Sequence, residues 1–222
     1  MVTFVVLTSD VFKETRTKAV RETWAKRAVD MGWRVFYYSE TDMGSPHDTI
    51  ATHESDASSL GNDIKQWKAW KHAQKCCSHR SDFYIKVDDD TYVNVERMEK
   101  MLLPYDPESV AILGQCIGTP WNPKPFCGGG AGIILPRGGL DKMMEWYENK
   151  QCIDYGHNDL TTSFCFFDNN VTYTLVAELY PEKPTVWQEM VKGATFHHLS
   201  HQDMYDMHQV FYGSERIKKD TK

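Results

Sequence analysis

No stretch of this sequence approaches the roughly 20 consecutive apolar residues of a membrane-spanning helix, and a mean hydropathy of -0.54 excludes a lipid-embedded body. There is no positive surplus either. Lys and Arg total 25 against 31 Asp and Glu, a net charge of -6, and the one basic run is short: Arg216, Lys218 and Lys219. That balance argues against nucleic acid as a partner, because phosphate backbones are held by clustered cations. Cys-x-x-Cys pairs are missing, which removes zinc ribbons. The six cysteines, Cys76, Cys77, Cys116, Cys127, Cys152 and Cys165, are an even number whose pairing the sequence does not choose. Gly-x-Gly-x-x-Gly and the Walker pattern are absent, as are internal repeats and low-complexity segments. No signal-peptide pattern precedes the first apolar run, so the chain reads either as cytosolic or, the preferred expectation, as a domain of a longer protein.

What is present is an ordinary globular composition, 222 residues with 41% hydrophobic and 13% aromatic side chains. That length fits one large domain, residues 1–222, with a core of its own. The most informative stretch runs from Asp82 to Asn94. Phe83, Ile85 and Val87 alternate with Tyr84 and Lys86 as in a strand, and the strand stops at three carboxylates, Asp88, Asp89 and Asp90. In open α/β sheets, ligands bind beyond the carboxyl ends of the strands. Adjacent carboxylates repel one another unless a cation sits among them, and a hard divalent ion such as Mg²⁺ or Mn²⁺ relieves that repulsion. A solvated acidic turn before a helix is the alternative, and the strand in front of the cluster argues against it.

Taken in order, Thr3–Thr8 is a buried first strand, Thr15–Met31 a helix with Ala19, Val20, Trp24 and Ala28 on one side, and Trp33–Tyr38 a second strand. A strand, helix and strand in succession open an α/β fold with a parallel sheet. Arg16 and Arg21 on that helix either meet phosphates or pair with Glu14 and Glu22. Ser39–Ser59 is a polar surface loop with a brief strand at Thr49–Thr52, and Leu60–Cys77 is a second helix from which Lys65 reaches toward the strand ends. A helix over Val95–Leu103 and a strand over Ser109–Leu113 follow. Phe126–Leu135 (FCGGGAGIIL) requires backbone that approaches something closely or takes positive φ, and Pro136 opens a helix through Tyr147. Asp159, in His157-Asn158-Asp159-Leu160, suits either a helix cap or a general base. His197 and His198 end the last apolar segment, and imidazole partners carboxylate at transition-metal sites. Asn170-Val171-Thr172 is a glycosylation sequon, meaningful only in a secretory lumen.

VDDDTYVN, CGGGAG, HNDL and FHHL, in this order and at these intervals, resemble the inverting β1,3-glycosyltransferases that include Fringe and the core 1 β1,3-galactosyltransferase. Thr15-Arg16 and Ala19–Ala25 also resemble that family's N-terminal pattern, so the likeness runs from about Val2 to Tyr212. The resemblance implies a GT-A fold, a mixed, mainly parallel sheet flanked by helices that binds a nucleotide sugar, in the Golgi or endoplasmic reticulum lumen on a membrane-anchored protein. It implies Mn²⁺ or Mg²⁺ held by Asp88, Asp90 and His197, with Asp89 beside them, and Asp159 as catalytic base. It implies that Gly129, Gly130 and Ala131 lie against the donor sugar and acceptor, and that Arg16, Arg21 and Lys65 lie near the nucleotide. The partners are then a UDP-sugar donor and a glycan or glycoprotein acceptor. Asn158 stands where the family often has a second carboxylate, which leaves Asp159 alone as base. A catalytically silent, glycoprotein-binding or chaperone-like relative is the alternative, although such a relative is expected to lose the acidic triplet or the base.

Overall fold

A computed structural model describes residues 1–44, 48–55, 58–119 and 122–219. The side chains of residues 214–219 lie outside the described residues, and with them the basic run Arg216, Lys218 and Lys219. The described residues form twelve strands: β1 (Val2–Leu7), β2 (Arg34–Ser39), β3 (Thr49–Ala51), β4 (Phe83–Asp88), β5 (Tyr92–Val93), β6 (Ile112–Gly114), β7 (Cys116–Thr119), β8 (Asn122–Cys127), β9 (Ile133–Pro136), β10 (Tyr173–Leu175), β11 (Leu179–Tyr180) and β12 (Thr195–Phe196). Seven of them make the central sheet in the order β10-β6-β9-β4-β1-β2-β3, while β11-β12-β5 and β7-β8 form two small sheets. Within the central sheet, β9 runs antiparallel to both of its neighbours, and the other adjacent strands are parallel. This is the mixed, mainly parallel sheet that the family resemblance implies, whereas the strand, helix and strand opening alone indicated a parallel one.

The period-two alternation of β1 explains the layering. Val2, Phe4 and Val6 face one apolar cluster together with Ala19, Val20, Trp24 and Ala28, whereas Val5 and Leu7 face a second cluster with Trp67, Trp70, Met143 and Phe166. Helices thus cover both faces. Residues 10–30, Val95–Leu102 and His201–Lys219 lie on one, and Ser59–Lys75, Arg137–Glu148 and Asn158–Asp168 on the other. Trp24 and Trp70 are fully buried, and truncating either to Ala is expected to cost roughly 3–5 kcal/mol through lost transfer energy and the cavity left behind. Ser58 starts its helix by accepting from the Gly61 amide at 2.9 Å, and Asn94 does the same for Arg97 at 3.1 Å.

The structure departs from the expected elements in two places. The first helix is not one regular α-helix over Thr15–Met31. Helical turns run from Asp10 to Asp30 and include wide π-type turns at Lys13–Thr17 and Arg21–Ala25. At Thr23 (φ -111, ψ -109) the hydroxyl donates back to Ala19 O at 2.6 Å, a local competitor to the helix ladder that periodicity does not register. The strand expected over Ser109–Leu113 begins only at Ile112. Disulfides join Cys116 to Cys127 across β7 and β8, and Cys152 to Cys165, while Cys76 and Cys77 are not in disulfides. No helix among the described residues is long and apolar enough to cross a membrane.

Candidate active site

From β1 the chain moves outward through β2 and β3 on one side, then returns to place β4 on the other side of β1. A crevice opens where such a sheet reverses direction, between the carboxyl ends of the two strands. Leu7 and Asp88 are register partners there. The resulting cleft, about 250 Å³, is lined by Thr8, Phe12 and Arg16 from the β1 end, Asn62 and Lys65 from the next helix, Asn158, and the three aspartates.

The aspartates face different partners. Asp88 Oδ1 lies 2.9 Å from Lys86 Nζ, and its Oδ2 lies 3.9 Å from His197 Nε2. Asp89 turns inward, accepts from the Thr8 hydroxyl at 2.7 Å and pairs with Arg16 at 3.3 Å. Burial pushes its carboxyl up to about 6, against the pull of Thr8 and Arg16. Asp90 Oδ1 is 3.0 Å from His197 Nε2, and its Oδ2 is 3.4 Å from Arg16. Burial pushes Asp90 up as well, but His197 and Arg16 outweigh it and hold the carboxyl below its usual range. The same contact raises His197, whose burial alone would lower it.

His197 reaches this position through strand register. β12 pairs antiparallel with β5, Phe196 opposite Tyr92, so the next residue out falls beside the acidic turn, and Leu199 N donates to Asp90 O at 3.0 Å. Its Nδ1 is 3.2 Å from the Pro181 carbonyl, which only accepts, so Nδ1 carries a proton and Nε2 is the nitrogen turned to Asp90. Asp90, His197 and His198 offer ligand atoms that all lie within 4.8 Å of one another. His198, in the left-handed region at φ 57, adds to this group, although the expected ligand set included only His197 of the two histidines.

Asp159 lies in the first turn of the Asn158–Asp168 helix, where the helix dipole favours a carboxylate. It does not cap that helix. The N-cap is His157, without a side-chain bond, and Asp159 instead points its Oδ1 at Lys86 Nζ, 3.5 Å away. Gln66 and Asp63 anchor the helix: Gln66 Nε2 donates to Asn158 O at 2.9 Å, and the Thr161 hydroxyl donates to Asp63 at 2.8 Å. The glycine-rich turn is explained by close approach. A Cβ on Gly129 would lie 2.0 Å from Asp159 Oδ1 and 2.4 Å from Lys86 Nζ, and one on Gly130 would lie 2.1 Å from the His197 ring. Ala131 is buried behind them.

Of the expected cations, Lys65 is buried and donates to Thr8 O at 2.9 Å, and Arg16 faces the aspartates, so both line the cleft. Arg21 does not. Its guanidinium is bonded to Asp48 and to Thr49 and lies over the Tyr37 ring, a tertiary pairing across to β2 and β3 that spacing along the helix could not reveal. Sequence reasoning also passed over Lys86 as an ordinary polar strand position. It is in fact buried to 1% exposure between two carboxylates, which raise its pKa although burial alone would lower it.

A profile of the Fringe-like family matches residues 1–199. Glycoprotein-N-acetylgalactosamine 3-beta-galactosyltransferase 1 of Xenopus laevis is 26% identical over 150 residues, which are 66% of this chain and 39% of that protein. The chain therefore spans well under half the length of this curated relative. A crystal structure of a glycosyltransferase involved in the glycosylation of the major capsid of PBCV-1 superposes with a TM-score of 0.57 at 14% identity, covering 93% of this chain and 98% of that one. That likeness shows the fold, which is of the GT-A type.

Proposed function

The chain belongs to the Fringe-like family, and from that premise we propose that it is a metal-dependent inverting β1,3-glycosyltransferase. It moves a sugar, galactose or N-acetylglucosamine, from a UDP-sugar to a hydroxyl of a glycan or glycoprotein, and residues 1–222 act as one catalytic domain. The observation that carries this reading is that Asp88 and Asp90 line the cleft at the β1/β4 switch point while His197 meets Asp90 and Asp159 meets, through Lys86, Asp88 beside it.

The residues fit a divalent ion. Asp90 Oδ1 is buried with no well-aligned hydrogen bond, and His197 hands its other ring N–H to a carbonyl, the usual support of a metal-binding imidazole. Asp90 and His197, with His198 and Asp88 beside them, would hold it, and a mixed carboxylate and imidazole set suits Mn²⁺ better than Mg²⁺. When bound, the ion supplies Lewis-acid stabilisation of the diphosphate leaving group. Arg16 and Lys65 line the cleft where the nucleotide's phosphates enter. Asp159 accepts the proton of the acceptor hydroxyl, and a single carboxylate suffices for inversion because base and leaving group act on opposite faces of the anomeric carbon. Two disulfides and a curated relative named for its action on a glycoprotein support a setting in the secretory lumen.

The test is UDP release from UDP-galactose, UDP-GlcNAc, UDP-GalNAc and UDP-glucose, with Mn²⁺ and with EDTA. One donor turned over only with metal is the expected result. UDP bound equally well in EDTA, with no turnover of any donor, would overturn the reading in favour of a silent relative.

A further inference from the structure

Lys86 is the atom-level link between the two halves of the site. On β4 it is register partner to Val5 on one side and Ile133 on the other, inside a sheet covered by helices on both faces. An ammonium buried so deeply persists only where carboxylates compensate it. Two do: Nζ lies 2.9 Å from Asp88 Oδ1 and 3.5 Å from Asp159 Oδ1. Asp88 leaves the same strand two residues on, whereas Asp159 arrives from the start of a separate helix. A glycine admits this junction, because any side chain at 129 would strike both Nζ and Oδ1. The Asp159 side chain is 28% exposed, yet its Oδ1 is buried, so the exposure belongs to the remainder of the carboxylate.

We propose that Lys86 is a positioning residue: by holding Asp88 Oδ1 and Asp159 Oδ1 it sets the spacing between the carboxylate on the donor side and the base, and turns the free edge of Asp159 to the acceptor. The proposal rests on the transferase reading for the word base, but the junction itself does not. A displacement of about 1 Å at a reacting group is enough for a loss on the order of 10²-fold in rate.

The experiment compares wild type, Lys86→Met, Asp159→Asn and the double variant. Lys86→Met is expected to lower kcat roughly 10²-fold while UDP affinity in Mn²⁺ changes by less than about 5-fold. Its melting temperature is expected to fall, and Asp159→Asn in that background to recover part of the loss, since the two unpaired carboxylates then no longer face each other. A lysine with a merely structural role would lower the melting temperature, leave kcat of the folded fraction unchanged, and show additive stability effects. Additivity overturns the proposal, as does wild-type kcat in folded Lys86→Met. If the wild type turns over no donor, the transferase reading fails, and the melting-temperature cycle still decides whether Lys86 couples to Asp159.

Discussion

Along one wall of the cleft the functional groups are chain neighbours: Asp88, Asp89 and Asp90 leave the end of β4 together and divide their partners among Lys86, Thr8 and His197. Beside the cleft, as a second wall of the site, Gly129, Asp159 and His197 come from three segments that meet only in the folded state. The first wall needs one strand and one turn to exist. The second exists because two glycines let side chains approach backbone, and because a lysine and a strand register hold those side chains in place. Sequence proximity makes a site robust to small errors elsewhere, whereas assembly across the fold makes it sensitive to any residue that sets a distance.

The contrast is tested most severely at Asp90. Asp90→Ala is expected to reduce transfer by on the order of 10³-fold or more and to remove the metal dependence of UDP binding in calorimetry, with a melting temperature close to wild type. Full activity of this variant in chelator would remove Asp90 from the site. On the assembled wall, Asp159→Asn is expected to lower turnover by roughly 10²- to 10⁴-fold with donor binding preserved. Asp159 does not cap its helix, but its loss leaves the buried Lys86 compensated by Asp88 alone, so the melting temperature is expected to fall as well. Wild-type turnover would hand the role of base elsewhere. Asp154, hydrogen-bonded to the Gly156 amide, and Asp168, paired with Lys124, are already engaged.

Gly130→Ala sharpens the comparison, since it alters no functional group. Its methyl would sit 2.1 Å from the His197 ring, and displacing that ring is expected to weaken Mn²⁺ affinity roughly 10- to 100-fold, measured by titration against UDP binding. Unchanged affinity would mean that the turn does not set the position of His197. The smallest effect is expected at Asp63, which helps anchor the Asp159 helix. Burial first, then the hydrogen bond with Asp154, pushes its carboxyl from an ordinary 3.8 up to about 7. A carboxyl raised in the folded state contributes stability that is full below the unfolded value and is lost as pH rises through the folded one. Melting temperature should therefore fall by a few degrees from pH 5 to pH 8, and Asp63→Asn should flatten that decline. An equally steep decline in the variant would assign the pH dependence to other groups.

The same contrast explains what could be read before any coordinates. β4 and its acidic terminus were legible because a two-residue alternation and a charge triplet are local signals, as were Ser59–Lys75 and Val95–Leu102 with their apolar spacing. The glycine-rich turn was legible as a demand on the backbone but not as an answer, since the atoms that would collide with a side chain belong to Asp159, Lys86 and His197. Arg21 matched a pattern along the helix and is held instead by Asp48, a partner that only the return of the chain through β2 and β3 brings near. Lys86 looked polar and unremarked because alternation predicts a solvent face, and in a sheet covered on both sides there is none.

The pairing of β12 with β5 also sets an order of events. His197 comes late in the chain and Asp90 near its middle, so an ion that bridges them cannot be captured until a long loop has closed, a slow class of contact in folding. If the proposed ion binds there, its binding would mark the end of folding rather than guide its start. Mn²⁺ added to a refolding chain should leave the early phases at the same rate and slow unfolding of the finished protein, and stopped-flow traces in which the metal accelerates the first phase would contradict that order.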